Sequence, residues 1–317
     1  MKTEIQKEKI LVTGGAGFIG SHIVDRLMET GNKVIVFDNF SSGHMEFIEQ
    51  HLGKPNFTLI KGDLLNAEEI YAACEGIDLV YHVAANPDVK LGSVDTRVHF
   101  DQNITATYNV LEAMRRNNVP NIVFTSTSTV YGEAEVIPTP EEYGPLVPIS
   151  LYGASKLACE ALITSYSHTF DMKSWIFRFA NIVGDRGTHG IIVDFIQKLR
   201  DNPQQLEILG DGRQSKSYLH VSECVKAIMF VVNNSNEAVN IFNVGSEDTI
   251  NATEIGEVIV EEMGLENVEF TYTGGNRGWK GDVPRMLLEV EKLKRLGWNS
   301  GYSSERSVRE TVHSLLH

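Results

Sequence analysis

The sequence predicts an α/β protein: a doubly wound, parallel sheet covered by helices on both faces, with a smaller mixed α/β C-terminal lobe. Three observations predict it. Short apolar runs alternate with helix-period segments from Lys9 to Phe179, a glycine-rich turn joins the first run to the first helix, and the rhythm lapses after Asn181. The run Lys9–Thr13, the helical segment Phe18–Glu29 and the run 34–37 form one βαβ unit. The alternation continues with strand Phe57–Lys61, helix 67–74, strand 79–83, helix 103–116, strand 122–126, helix 151–170 and strand 174–179. Strands alternating with helices in this way imply a parallel sheet buried on both sides. Segments 192–200 and 221–232 carry helical periodicity around the turn Gly210-Asp211-Gly212, and Val239–Val244 has the composition of a strand rejoining the sheet. The expected division is therefore a first domain of residues 1–181, rejoined by 218–245, and a substrate lobe of 182–217 and 246–317.

At 317 residues the chain exceeds what one hydrophobic core usually serves, and 42% apolar with 22% charged residues is ordinary globular usage. A formal net charge of -14 repels a phosphate backbone, so nucleic acid is not the expected partner and any phosphate must be held locally. Cys74, Cys159 and Cys224 have no metal-ligand or disulfide spacing, so buried reduced thiols and no metal are expected. Residues 1–9 are polar, and no stretch approaches the roughly 18 apolar residues of a membrane span. The expectation is a cytoplasmic protein with no membrane partner.

Thr13-Gly14-Gly15-Ala16-Gly17-Phe18-Ile19-Gly20 follows a predicted strand and opens a predicted helix, the context a dinucleotide fingerprint requires. Its glycines permit the tight turn, the approach of backbone N–H groups to a pyrophosphate and close helix–strand packing, while the helix N-terminus adds partial positive charge. Asp38 ends the second strand 18 residues after Gly20, where a carboxylate accepts both adenosine ribose hydroxyls and repels a 2'-phosphate. Residues 39–43 contain no Arg or Lys to accommodate that phosphate. NAD in a Rossmann-type site is the expected cofactor.

Tyr152 and Lys156 stand four apart at the start of a helix that follows the fifth predicted strand, which ends in the hydroxyl cluster Thr125 to Thr129. With the glycine turn, Asp38-Asn39-Phe40-Ser41-Ser42-Gly43, Gly62-Asp63-Leu64, His82-Val83-Ala84-Ala85, Val130-Tyr131-Gly132 and Arg178-Phe179-Ala180-Asn181, these residues resemble the extended short-chain dehydrogenase/reductase superfamily. Within it the chain is similar to the NDP-sugar epimerases and dehydratases over essentially its whole length. The resemblance implies that Gly14, Gly17, Phe18, Ile19, Gly20, Asp38, Asn39, Ser41, Ser42 and Gly43 hold the cofactor. It places Asp63 and Leu64 near adenine, Ala84 and Ala85 beside the cofactor, and Asn103 in the helix before the active-site strand. It makes Thr127, Tyr152 and Lys156 the catalytic group, with Tyr152 and Lys156 also touching the cofactor.

Hydride removal from a sugar C4 requires that the C4 hydroxyl lose its proton, and a free tyrosine, pKa about 10, is only about 0.1% phenolate at pH 7. Lowering that pKa to about 7 takes about 4 kcal/mol, and one cation about 5 Å away supplies roughly 3 kcal/mol at an effective dielectric near 20. Lys156 nearly suffices, and the resemblance implies that it also fixes the nicotinamide ribose. Thr127, 25 residues before Tyr152, matches the family position whose hydroxyl meets the sugar oxygen. The sugar 4,6-dehydratases carry an Asp-Glu pair at the positions of Ser128 and Thr129, neither of which titrates near neutrality here. The expected reaction is therefore 4-epimerisation of a UDP-sugar, glucose/galactose or the N-acetyl pair, through a transient 4-keto sugar. A 4,6-dehydratase or UDP-glucuronate decarboxylase is the alternative, and a non-enzymatic NAD sensor would need none of Thr127, Tyr152 and Lys156.

For the substrate, the resemblance places Asn181 against the diphosphate or sugar and the stretch containing Lys216 and Tyr218 around the nucleotide. Lys216 replaces the family's usual Arg, and Trp279 stands where an Arg is common, leaving Arg277 to substitute. Met286 falls near the sugar's C2 substituent. Segments 103–116 and 151–170 carry apolar residues beyond one core-facing stripe, and resembling enzymes pair these helices in a homodimer.

Overall fold

The computed structural model describes residues 8–279 and 281–317; segment 1–7, the beginning of the polar opening and of the first expected domain, and Lys280 lie outside the described residues. In chain order the first elements are β1 (Lys9–Thr13), α1 (Phe18–Glu29), β2 (Lys33–Asp38), β3 (Phe57–Lys61), α2 (Ala67–Ala73), β4 (Leu79–His82), α3 (Ala106–Arg116), β5 (Asn121–Thr127), α4 (Leu151–Thr169) and β6 (Lys173–Phe179). There follow β7 (Asn181–Val183), α5 (Ile191–Asp201), β8 (Gln205–Ile208), β9 (Ser215–Lys216), β10 (Tyr218–His220), α6 (Val221–Asn234) and β11 (Val239–Val244). The chain closes with β12 (Ile250–Asn251), α7 (Ala252–Glu262), β13 (Glu269–Tyr272), β14 (Arg285–Met286), α8 (Glu291–Leu296) and α9 (Ser304–Leu316).

Seven strands form one sheet in the order β11-β6-β5-β4-β1-β2-β3. The ladders β3/β2, β2/β1, β1/β4 and β4/β5 are parallel, with Thr13 level with both Phe37 and His82. Backbone bonds Ser174 N–H to Ala238 O and Ala180 N–H to Val244 O advance in step, so β11 also runs parallel to β6. Strand order reverses at β1, whose neighbours β2 and β4 belong to crossovers of opposite direction; ligands of such sheets bind beyond the strand ends at that point. This is the expected Rossmann-type fold.

Two compact units emerge. The first comprises the described residues of Met1–Ser126, with Ser155–Phe177 and Ser235–Ile241; the second comprises Thr127–Ala154, Arg178–Asn234 and Phe242–His317. In the first, Leu11, Phe37, Val80, Leu111, Ile122 and Ile176 belong to one buried core, the apolar runs of parallel strands having no solvent-facing side. In the second, Phe195, Leu206, Ile208, Ile255, Ile259 and Val308 pack α5, α7 and α9 around the ladder of β8 and β13. Asn251 and Glu254 form a reciprocal capping box at the start of α7, and Ser303 caps α9, fixing where both helices begin. The helix expected over 103–116 is split: Phe100–Thr105 is a π-helical turn and α3 starts at Ala106. All three cysteines are buried free thiols, as expected. No described helix is long and apolar enough to cross a membrane.

Candidate active site

In the first unit the glycine turn is built by contacts that exclude side chains. Gly14 has φ +69°, and a Cβ there would stand 2.7 Å from the backbone of Ala84, so the turn after β1 lies directly on the segment after β4. A Cβ on Gly20 would fall 2.0 Å from the Gly14 carbonyl oxygen, so the first turn of α1 sits against the strand end. Gly17 is the N-cap, with no side-chain cap and no acid in the first helical turn. The helix therefore begins with Phe18, Ile19 and Gly20 presenting backbone amides and positive dipole. A diphosphate would fit there.

Asp38 is buried at the end of β2. One carboxylate oxygen accepts the Ala16 N–H and the other the Phe40 N–H, each at 2.9 Å, which locks its plane between the glycine turn and the next loop. Gly43 packs on it, a Cβ there lying 2.9 Å from the same carboxylate, while Ser41 and Ser42 are exposed alongside. Asn39 donates to Asp63 (3.3 Å), and Asp63 in turn accepts the Leu65 N–H (2.9 Å), bracing the loop after β3 that carries Leu64. The strand-end residues predicted for cofactor binding in this unit are thus contiguous. They fit a dinucleotide: a tight glycine turn, an uncapped helix end and a fixed carboxylate one strand away.

Asn103 is buried in the π-helical turn, accepting the Asn86 N–H (2.8 Å) and donating to Ser155 Oγ (2.9 Å). Its amide ties the loop after β4 to α4. Ala85 lies within the segment so held. His82 is fully buried between the hydroxyls of Thr13 (2.8 Å) and Thr107 (3.0 Å). Burial, with Lys156 adding to it, pushes its pKa down to about 3, so the ring is neutral.

Tyr152 and Lys156 lie one turn apart on α4, so they leave the same side of the helix. Lys156 is only 3% exposed; its amine donates to the Thr125 carbonyl at 2.9 Å and stands 4.7 Å from the Phe124 ring centre. Burial pushes its pKa down to about 8, against the opposing pull of Cys159 and Glu160. At pH 7 it is still mostly ammonium. Glu160, one further turn along α4 and buried, accepts the hydroxyl of Ser126. Sequence reasoning passed over it, although its four-residue spacing from Lys156 was in view.

In the second unit Thr127 ends β5 and caps a short 3₁₀ turn, its hydroxyl oxygen accepting the Thr129 N–H and hydroxyl, both at 3.2 Å. A Cβ on Gly153 would be 2.7 Å from the Thr129 carbonyl, so the first turn of α4, with half-buried Tyr152, packs on that hydroxyl-rich turn. Beyond it, the Tyr131 hydroxyl donates to Asn243 (2.8 Å) and receives a bond from Arg178 (2.9 Å), bracing the turn from beneath.

The residues expected to meet the substrate gather around β9, β10 and β14. Asn181 donates from both backbone and side chain to the Ser217 carbonyl, each at 3.1 Å, and stands level with Tyr218 in the β7/β10 pair. Tyr218 is buried, and burial followed by Asp282 holds its phenol well above the usual range. Lys216 is level with Met286 in the β9/β14 pair. Its ammonium, expected to meet a phosphate, is paired with Asp282 at 2.5 Å and lies 5.2 Å from the Trp279 ring centre. Arg277 bonds the Asp282 carbonyl (2.6 Å) and ion-pairs with Glu133. A cavity of about 440 Å3 opens beside them, lined among others by Glu133, Arg213, Gln214, Asn276 and Arg285. Asp282, 3% exposed and the hub of this cluster, was not among the predicted residues; its partner Lys216 is 66 residues away.

The chain is similar to known proteins over nearly its whole length. A solved UDP-galactose 4-epimerase is 42% identical, with a TM-score of 0.87 over 97% of this chain and 98% of that one. The UDP-glucose 4-epimerase of Corynebacterium glutamicum is 31% identical over 95% of this chain and 94% of its own. UDP-glucuronic acid decarboxylase 2 of Arabidopsis thaliana is 35% identical over 95% of this chain and 66% of its own. Residues 10–245 match the model of the NAD dependent epimerase/dehydratase family, and the chain belongs to that family.

Proposed function

We propose that this protein is an NAD-dependent isomerase that inverts C4 of a UDP-linked sugar, glucose/galactose or their N-acetyl counterparts. The observation that carries the reading is the Tyr152/Lys156 pair at the start of α4, set against a turn whose Ser128 and Thr129 offer hydroxyls and no titrating acid or base. Gly14 to Gly20 and Asp38 would hold the dinucleotide, whose bound nicotinamide supplies a hydride acceptor and donor at C4.

Tyr152 takes the proton of the C4 hydroxyl and returns it, its phenolate favoured by the Lys156 ammonium one turn away. Thr127 holds the C4 oxygen, a role supported by a hydroxyl kept in place by its own 3₁₀ turn. Asn181, Tyr218, Met286 and the Lys216–Asp282–Arg277 cluster take the nucleotide-sugar. Because no group at 128–129 can expel the C6 hydroxyl, the keto sugar is reduced again on either face. Turnover leaves the dinucleotide unchanged.

The test is NMR of reactions with UDP-glucose, UDP-galactose, UDP-N-acetylglucosamine and UDP-glucuronate. The expected result is C4 inversion without net change in absorbance at 340 nm. A 6-deoxy-4-keto product, a pentose from UDP-glucuronate, or no inverted sugar overturns the reading.

The same reading makes the protein a homodimer. Support comes from Phe100, Tyr108 and Phe170, 56%, 47% and 43% exposed, on and around α3 and α4. Sedimentation as a monomer at micromolar concentration would refute this. A cytoplasmic location is supported by three buried, unpaired thiols; recovery in an extracellular fraction would count against it.

A further inference from the structure

The chemistry proposed above asks Lys156 to stay charged in a place that favours the neutral amine. A buried ammonium persists when a fixed negative charge and hydrogen-bond acceptors replace its water. The Thr125 carbonyl and the Phe124 ring supply an acceptor and a π-face, neither of which carries a full charge.

Four residues along α4, Glu160 is 4% exposed, a burial at which an acid needs partners. The hydroxyl of Ser126 donates to its carboxylate. Consecutive residues at the end of β5 thus hold the two side chains, Thr125 the amine and Ser126 the acid. Among the described residues, the other titratable groups around the amine cannot serve as its counter-charge. On β4, His82 is neutral between two hydroxyls. On α4, Cys159 would help only as a thiolate, and burial pushes its thiol up; Tyr152, one turn earlier, is the group the cation is meant to stabilise. The neighbouring α3 region offers the neutral Asn103 and Thr107, both engaged with α4.

We propose that Glu160 is a positioning residue for the reaction: anchored by Ser126, its carboxylate is the counter-charge that keeps Lys156 an ammonium and holds it at the end of β5. This rests on the Tyr152/Lys156 reading, so the test separates the two. Activity is measured from pH 6 to pH 10, as kcat and kcat/KM, for the wild type, Glu160→Gln, Ser126→Ala and Lys156→Met.

Gln keeps the shape and can still accept the Ser126 hydroxyl. Loss of one charge one helical turn from Lys156 should bring the alkaline limb of Glu160→Gln down by about one pH unit or more. With the amine titrating at about 8, a one-unit fall appears at pH 8 as roughly a fivefold loss of kcat, with substrate KM nearly unchanged. Ser126→Ala keeps the charge, so its limb stays in place while its thermal stability falls. Lys156→Met is inactive at every pH.

An alkaline limb in Glu160→Gln that coincides with wild type, beside an inactive Lys156→Met, overturns the proposal. A fully active Lys156→Met overturns the Tyr152/Lys156 reading instead. Glu160→Asp guards against a folding failure: it keeps the charge, so its limb should stay within about half a unit of wild type. A displacement as large as that expected for Gln would also overturn the proposal.

Discussion

A methyl group placed on Gly20 has nowhere to go. Its carbon would stand 2.0 Å from the Gly14 carbonyl oxygen, 2.9 Å from the Gly14 carbonyl carbon and 3.0 Å from the Gly15 Cα, all backbone. Restoring ordinary contact means parting α1 from the turn by about 1.4 Å, in a region too closely packed to yield. We expect Gly20→Ala to lose about 3 kcal/mol of stability. In thermal unfolding without added nucleotide this is a fall of roughly 6–12 °C. Because the same movement displaces the amides of the helix end, NAD affinity by calorimetry should also fall. Gly17→Ala separates the two effects. Its Cβ would be 3.3 Å from the same oxygen at φ −83° and ψ 178°, a backbone any residue adopts, so stability should change by less than about 0.5 kcal/mol. The added methyl nevertheless projects at the uncapped helix end and should weaken NAD binding. Unfolding of Gly20→Ala within about 2 °C of wild type would refute the packing argument, and wild-type NAD affinity in both variants would remove the turn from the cofactor site.

Tyr152→Phe should bind NAD as the wild type does and lose about 10²–10⁴-fold in kcat; unchanged turnover would take Tyr152 out of the mechanism. Asp38→Asn turns one of two acceptors into an N–H facing a backbone N–H, so we expect a loss of about 2 kcal/mol and a smaller ratio of NAD to NADP affinity, measured by titration with both nucleotides. An unchanged ratio would show that Asp38 does not select the cofactor. His82 contributes to acid lability. Its folded pKa, about 3, lies below the unfolded value, so the unfolded chain gains a proton first as pH drops and stability falls between about pH 6.5 and 3. The loss is about 2 kcal/mol by pH 5, and urea unfolding of His82→Asn should show a correspondingly flatter acid limb; an identical limb would exclude His82.

The sheet was legible because parallel strands buried on both faces leave uninterrupted apolar runs, and the glycine turn because only glycine survives a contact of 2.0 Å. Even the late return of β11 was readable, as a short apolar run placed after a helix. The small strands β7, β9, β10, β12 and β14 were not, since two or three residues carry no periodicity and their pairing depends on distant partners such as Lys216 and Met286. The same distance concealed the pairing of Lys216, the expected phosphate ligand, with Asp282. Asn103 was readable as part of a helix, whereas the π turn and the bonds to Asn86 and Ser155 that accompany it were not. Glu160 was in plain sight, but an acid four residues after a lysine on a helix reads as an exposed ion pair unless the burial of both is known.

The bare N-terminus of α1 bears on how this enzyme experiences its solvent. With a net charge of -14, the chain is surrounded by a cationic counterion cloud, and a diphosphate approaching from solution meets long-range repulsion. Backbone dipoles at the bottom of a glycine turn act over a few ångströms, inside one screening length, and carry no proton to lose. Retention of the dinucleotide should therefore respond weakly to ionic strength and pH, while the encounter that delivers it should quicken as salt is added.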